Sequence, residues 1–322
     1  MSVLVYTQNW EGKFKKSTFE LVSYASKVAE MLNTNLVCLT IGSVAEEELG
    51  KPGKYGAGKI IRVDSPLCSV LDNQVYTDII AQVAIKEGAK VIVISNNNEG
   101  KAIAPRLSVR LKAGMASGVS KLPLSLDPFT VYKKSYSGNA FTHLVINTDV
   151  KILTLAQNSF ELIETPDNAV TETPELVIEE SLPKTTVREV QKQTGKLLLT
   201  DAEVVVSGGR GMKSPDNWGP LVELADILGA GTACSRPVSD EGWRPSEEHT
   251  GQTGKVIAPN LYIAVGISGA TQHLAGVSSS KYIVAINTDK DAPIFEAAQY
   301  GIVGDALKVL PKLVEAVKEM KK

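Results

Sequence analysis

Cysteine is scarce in this chain of 322 residues. Cys38, Cys68 and Cys234 are odd in number and widely spaced. That spacing spells neither a disulfide framework nor a zinc site, so a reducing compartment is the expectation. Cys38 lies in an apolar run and reads as a small core residue. A charge bias is also missing. Lys and Arg total 34 against 36 Asp and Glu, for a formal net charge of −2. Nucleic acid and anionic membranes need a clustered positive field, so neither is an expected partner. Long apolar runs are absent as well. Val91–Ile94 and Tyr262–Ile267 have the length of strands, far below the ~18–20 residues of a membrane-spanning helix, which argues against direct membrane insertion. The opening Met1-Ser2-Val3-Leu4-Val5-Tyr6 runs straight into a strand pattern, without the order of a signal peptide or an Arg-rich presequence. A bacterial cytoplasm is therefore expected, or a mitochondrial matrix if the chain is a trimmed mature form.

What remains is ordinary globular material, with 43% hydrophobic and 22% charged residues. The length suggests two domains. In the first half two periodicities alternate. Val3–Tyr6, Leu36–Ile41, Lys59–Val63 and Val91–Ser95 read as strands. Phe19–Leu32, Tyr76–Ile85 and Ala102–Leu111 repeat apolar residues at helical spacing. Strand and helix in regular alternation predict a parallel sheet covered by helices. From Lys121 the pattern changes. Phe129–Tyr136 and Ala140–Asn147, joined at Ser137-Gly138-Asn139, read as a hairpin, and Lys151–Leu155 as a further strand, giving an antiparallel extension of the sheet.

Thr165–Thr194 is rich in Thr, Glu, Pro and Lys. Its Pro166, Pro174 and Pro183 oppose continuous helix, so it reads as a surface connection between domains. The fold expected is α/β in two domains. Residues 1–195 form a mostly parallel sheet with an antiparallel extension, and 196–322 a doubly wound parallel sheet. In the second, Glu203–Ser207, Leu261–Ile267 and Tyr282–Asn287 read as strands. Gly219–Leu228, Gly269–Ala275, Ile294–Ala298 and Ala306–Lys318 read as helices.

The second half ends strand after strand in glycine and small polar residues. Val204–Val206 runs into Ser207-Gly208-Gly209-Arg210-Gly211, and Tyr262–Val265 into Gly266-Ile267-Ser268-Gly269-Ala270-Thr271-Gln272-His273. Tyr282–Ile286 runs into Asn287-Thr288-Asp289, and Gly301–Val303 into Gly304-Asp305. In an open parallel sheet these ends share the edge where ligands bind. Glycine admits close backbone approach, and helix N-termini offer N–H groups to phosphate. A ligand carrying a pyrophosphate fits such an edge. Gly208-Gly209-Arg210-Gly211 alone is weak, because it is not the full dinucleotide fingerprint and a tight turn explains it as well.

The stretch from Val204 to about Val314 resembles the C-terminal FAD domain of electron-transfer flavoprotein alpha subunits. The similarity is greatest from Gly251-Gln252-Thr253-Gly254 through Leu261-Tyr262-Ile263-Ala264-Val265-Gly266 to Leu274-Ala275-Gly276. It continues in Ala285-Ile286-Asn287, Ala292-Pro293-Ile294-Phe295 and Tyr300–Asp305. The first half is similar more loosely, through its strand order and Lys151–Phe160. The resemblance implies one bound FAD and a set of residues holding it. Arg210 matches an arginine near the cofactor. Ser235 would hydrogen-bond the FAD chain, and Arg236 would lie against the isoalloxazine ring. Gly251, Gln252 and Thr253 fall at the pyrimidine and N5 side of the flavin. Ser268, Gly269, Ala270 and Gln272 match the loop around the pyrophosphate and ribityl chain. His273 matches a histidine near the flavin C2 carbonyl, and Asn287, Asp305 and Ala306 match the ADP portion.

Charge that builds at flavin N1 and the C2 carbonyl on one-electron reduction calls for a cation or donor there, which Arg236 or His273 would supply. The resemblance further implies a smaller beta subunit completing a heterodimer, donor dehydrogenases such as acyl-CoA dehydrogenases, as in fatty acid oxidation, and a quinone reductase as acceptor. The chain is then an electron carrier without a substrate site of its own.

Two departures fall near the expected flavin. Pro237-Val238-Ser239-Asp240 stands where Ala-Ala-Val-Asp is common, and Thr250 where Val is common. The Glu247-Glu248-His249 run reads as a solvated loop, and His143 and His249 as structural or surface residues. Two other functions compete. A self-contained FAD- or NAD-dependent oxidoreductase needs an acidic residue on the second strand, about 20 positions past the glycines. Asp226 has the spacing but sits in a helical pattern. A nucleotide-binding scaffold without redox chemistry would need no Arg236.

Overall fold

The computed structural model describes residues 1–138, 140–166, 168–183, 185–190 and 197–321. The chain divides into two compact units, Met1–Ser135 with Asn139–Gln191, and Tyr136–Gly138 with Lys192–Lys322. Lys196, where the second domain is expected to begin, lies outside the described residues, as does Asn139 of the expected hairpin turn.

Among the described residues the first unit carries a ten-stranded sheet. Ser2–Tyr6 lies at its centre between Asn35–Ile41 and Ala89–Ser95, parallel to both. Lys59–Val63 extends one side in parallel. These strands are nearly continuous apolar runs because helices cover both faces. Lys16–Met31 buries Leu21, Val22, Tyr24, Ala25 and Val28 on one face. Asn73–Lys86 and Asn98–Leu111 bury Ile79, Ile80, Ile103 and Leu107 on the other. Both of the latter helices are capped by side chains. Asp72 accepts from the Gln74 and Val75 amides at 2.8 and 3.1 Å, and Asn97 from the Gly100 amide at 2.9 Å.

The hairpin forms as read, Phe129–Ser135 pairing antiparallel with Ala140–Val145. Lys151–Leu155 does not belong to that antiparallel extension. It runs parallel between Ala89–Ser95 and Gly114–Val119, inside the sheet. Its Ile152, Leu153 and Leu155 are buried on both faces, which only an interior strand can satisfy. The Gly114–Val119 strand has no counterpart in the sequence reading, since Gly114 and Gly118 dilute its pattern. Within the Pro-rich segment Val170–Glu172 adds a short edge strand against Lys59–Val63, and Leu176, Ile178 and Leu182 pack on the core. Glu20, buried beneath the turn after Lys151–Leu155, accepts the Asn158, Ser159 and Phe160 amides at 3.1, 2.7 and 3.0 Å.

The second unit is a five-stranded parallel sheet in the order Gly231–Cys234, Val204–Gly208, Leu261–Val265, Tyr282–Asn287, Tyr300–Val303. Alternate side chains go to opposite faces. Val206, Ile263, Val265 and Ile286 meet helices Gly219–Leu228 and Ala306–Met320 through Leu221, Leu224, Leu310 and Val314. Val205, Tyr262, Ala264 and Ala285 meet Val277 and Ile294 on the other side. The order reverses between the first and third strands in sequence, so the crevice at their carboxyl ends is the topological switch point of a doubly wound sheet. Asp226 is exposed on the Gly219–Leu228 helix and not on a strand.

Candidate functional site

At the switch point two glycine-rich turns meet. Val204–Gly208 continues into Gly209-Arg210-Gly211, and Leu261–Val265 into Gly266. The Gly209 amide donates to the Val265 carbonyl at 2.9 Å, and the Gly211 amide to the Gly266 carbonyl at 3.0 Å. A Cβ on Gly211 would fall 2.6 Å from Gly266 Cα, and Gly266 itself has φ +61°. Only glycine permits this approach and this backbone. The crossing turns floor an open cleft of about 480 Å³.

Five segments line the cleft. Arg210 and Gly211 follow the first strand, and Ser235, Arg236 and Pro237 follow Gly231–Cys234. The loop His249–Thr253 forms one wall. Gly266–Ser268, Ala270, Gln272 and His273 descend from the third strand into the Thr271–Val277 helix, and Asn287 closes the fourth strand. The Asn287 amide donates to the Ile267 carbonyl at 2.9 Å, holding two of these turns together. The lining contains two arginines and no carboxylate. Asp240 and Glu241 stand nearby as partners, Asp240 accepting from Arg236 Nε at 2.7 and 2.8 Å and Glu241 facing Arg210 at 4.0 Å. Both arginines are largely exposed, so these surface pairs hold the guanidinium groups only weakly. Arg236 Nη1 also reaches Thr253 Oγ1 at 3.4 Å.

Two histidines flank the cleft and both are buried. His273 Nε2 lies 2.7 Å from the Tyr262 hydroxyl. Burial lowers the His273 pKa to about 4, against the favourable influence of the Thr250 backbone. His249 is likewise lowered, first by burial and then by the Arg236 charge. Neutral imidazoles therefore line this wall, and its fixed positive charge belongs to the arginines.

Of the residues implied by resemblance, the cleft brings together Arg210, Ser235, Arg236, Gly251, Gln252, Thr253, Ser268, Ala270, Gln272, His273 and Asn287. Gly269 is turned away. It has φ +85°, and a Cβ there would fall 2.3 Å from the Ile294 amide nitrogen. Asp305 and Ala306 also do not line the cleft. Asp305 caps the last helix by accepting the Leu307 amide at 3.0 Å and pairs with Lys213 at 2.9 Å, while Ala306 packs in the core.

The cleft adds Gly211, Pro237, His249, Thr250, Gly266 and Ile267. Pro237 and Thr250 are the two departures from the family pattern. His249 and Glu248 overturn the expectation of a solvated loop. Both are buried, and Glu248 takes a two-pronged ion pair from Arg244 at 2.7 and 2.6 Å. Arg244 in turn lies 5.8 Å over the Trp218 ring. The Glu-Glu-His run gave no periodic sign of this, because a single parallel bridge between Cys234 and His249, not a strand, draws it inward.

The glycine turns and the two lining arginines, with no carboxylate among the lining residues, suit a ligand carrying a pyrophosphate. Comparison with known proteins decides the family. The electron transfer flavoprotein domain matches residues 3–181, and the electron transfer flavoprotein FAD-binding domain matches residues 198–278. The chain belongs to the electron transfer flavoprotein alpha-subunit family. It is 34% identical to the electron transfer flavoprotein subunit alpha of Bacillus subtilis, covering 99% of this chain and 98% of that one. It is 34% identical to the Syntrophomonas wolfei subunit alpha over 98% of each chain. With the probable mitochondrial subunit alpha of Caenorhabditis elegans it shares 37%, over 98% of this chain and 93% of the relative. The chain is thus an electron-transferring flavoprotein subunit, a carrier and not a self-contained oxidoreductase, and its cofactor is FAD. Among the described residues no helix is long and apolar enough to cross a membrane.

Proposed function

We propose that the switch-point cleft of the second unit is where this electron transfer flavoprotein subunit holds its FAD. The observation that carries the reading is the crossing of the Gly209–Gly211 and Gly266 turns beneath a cleft with Arg210 and Arg236 and no carboxylate in its lining. FAD, when bound, supplies the redox chemistry. The chain's own residues bind, orient and tune. Backbone amides and the side chains of Ser268 and Gln272 take the pyrophosphate and ribityl chain. Thr253 and Gln252 address the polar edge of the flavin. Arg236, with Nη1 already against Thr253 Oγ1, places a permanent cation where charge builds on reduction.

The relatives carry subunit names, and we propose that this chain likewise works with an electron transfer flavoprotein beta subunit, as a heterodimer. Dehydrogenases, among them acyl-CoA dehydrogenases, would be its donors and a quinone reductase its acceptor. A reducing cytoplasm suits the three free buried cysteines.

The test is an absorption spectrum of the full chain co-purified with its beta partner, followed by reductive titration of wild type and Arg236→Ala. Stoichiometric FAD, and a lower potential in the variant, are expected. Colourless protein that takes up no FAD would overturn the cleft assignment, and an unchanged potential would remove the role given to Arg236.

A further inference from the structure

Gln252, Thr253 and Gly254 are exposed at the tip of a tight turn in the cleft wall, and the side chain packed against that turn is buried. It is the imidazole of His249, 6% exposed, to which the family resemblance gives no part. Two glycines let the turn lie on the ring. A Cβ on Gly254 would fall 2.6 Å from His249 Nδ1 and 2.9 Å from Cε1, and one on Gly251 would fall 3.5 Å from Nε2. The imidazole thus presents one edge to Gly254 and the other to Gly251, and at Gly254 no larger residue fits against it.

The backbone closes the turn around the ring. The His249 carbonyl accepts the Lys255 amide at 2.9 Å, the Lys255 carbonyl accepts the Gly251 amide at 3.2 Å, and the Gly251 carbonyl accepts the Gly254 amide at 3.1 Å. The Gln252 amide donates to the Gln272 carbonyl at 2.8 Å, which ties the tip to the Thr271–Val277 helix. His249 itself is fixed from the other side. Its amide donates to the Ser246 carbonyl at 3.1 Å, and the Thr250 amide to the Cys234 carbonyl at 3.0 Å. The Arg244–Glu248 ion pair ends one residue before it, with Arg244 over the Trp218 ring. Trp218 packs so close to Gly208 that a Cβ there would fall 2.4 Å from the indole. His249 therefore stands on the same framework as the end of the Val204–Gly208 strand.

We propose that His249 is a positioning residue for the cleft: its buried imidazole supports the Gly251–Gly254 turn and, through it, sets where Gln252 and Thr253 stand. The consequence for flavin rests on the cleft reading, whereas the support of the turn is a property of the chain alone. The ring acts by its shape. Burial first and the Arg236 charge second disfavour a proton on it, against the pull of Asp240, so it adds no charge to the wall. Thr253 is also the residue that Arg236 Nη1 reaches at 3.4 Å, so a turn that shifts would part the two. A site loosened by about 1 Å fails even with every contact residue present, which is why the support matters as much as the contacts.

The test uses the full chain co-purified with its beta partner. With FAD stripped, amide hydrogen exchange over residues 250–255 is compared in wild type, His249→Ala and His249→Gln. Exchange in the turn should be about tenfold faster in His249→Ala and intermediate in His249→Gln, which keeps much of the buried volume, while the Val204–Gly208 and Leu261–Val265 strands exchange as in wild type. With FAD restored, its release should be about tenfold faster in His249→Ala. Added to Thr253→Ala, the same change should speed release little further, because the turn is the shared route. Wild-type exchange in the turn of His249→Ala overturns the proposal. Acceleration spread evenly over the whole unit overturns it too, since His249 would then stabilise the fold at large, and so does an additive effect in the double variant. Should His249→Ala not fold, His249→Gln stands in, and wild-type exchange in its turn is equally decisive. A wild type that takes up no FAD would sink the cleft assignment and leave the exchange result standing.

Discussion

Acid should destabilise the second unit through His273. Its folded pKa is lowered to about 4 from the ordinary 6.5, first by burial. Between those values the unfolded chain holds a proton that the folded chain refuses. The stabilisation is fully present above about pH 6.5 and is lost progressively as pH falls towards about 4. At ~1.4 kcal/mol per pH unit across that interval, the whole effect approaches ~3 kcal/mol. Carboxylates titrate in the same range, and some act with the opposite sign. Burial raises Glu20 and Glu99, so their ionisation opposes folding as pH rises. The informative quantity is therefore the difference between wild type and His273→Gln, in which those contributions cancel. Urea unfolding is followed by tryptophan fluorescence, since Trp218 is buried in the same unit. The gap between the two stability curves should narrow, or reverse in favour of the variant, by ~3 kcal/mol from pH 7 to pH 4. Parallel curves would mean that His273 is not held neutral by burial, and the argument for its surroundings would fail.

Two further outcomes test the construction of the cleft. In Gly276→Ala the new Cβ would meet Gly251 Cα, N and C at 2.4, 2.6 and 2.7 Å, all backbone atoms that cannot yield without moving the Gly251–Thr253 wall. Overpacking of that kind costs ~1–3 kcal/mol. FAD retention on gel filtration should fall about tenfold or more while the fold persists by circular dichroism, and undiminished retention would show that the wall does not contact FAD. In Arg244→Met the carboxylate of Glu248, 8% exposed, loses its two-pronged partner. Unfolding free energy should drop by ~3 kcal/mol. A second change, Glu248→Leu, should restore part of it, and an additive loss in the double variant would refute the pairing argument.

Much of this protein could be read in one dimension because helices and strands announce themselves locally. Ser2–Tyr6, Lys59–Val63, Gly219–Leu228 and Tyr282–Asn287 have the ranges their periodicities predict, to within a residue. The glycines after successive strands marked the edge at which the cleft opens, and the long similarity from Gly251 to Gly276 pointed to the family. What the sequence could not supply is neighbourhood. Lys151–Leu155 is a strand by pattern, but its place between Ala89–Ser95 and Gly114–Val119 depends on pairing across more than thirty residues of chain. No local propensity encodes such pairing. His249 and Glu248 looked solvated because their composition is polar, and one backbone bridge to Cys234 buried them. Asp305 carried a ligand-like motif, while the folded chain gives it a helix cap and a lysine. Periodicity determined the elements, and the resemblance running from Gly251 to Gly276 implied the kind of ligand. Only the tertiary structure decided which polar groups are sealed from water, and burial is what sets the state of His273 and its bond to Tyr262.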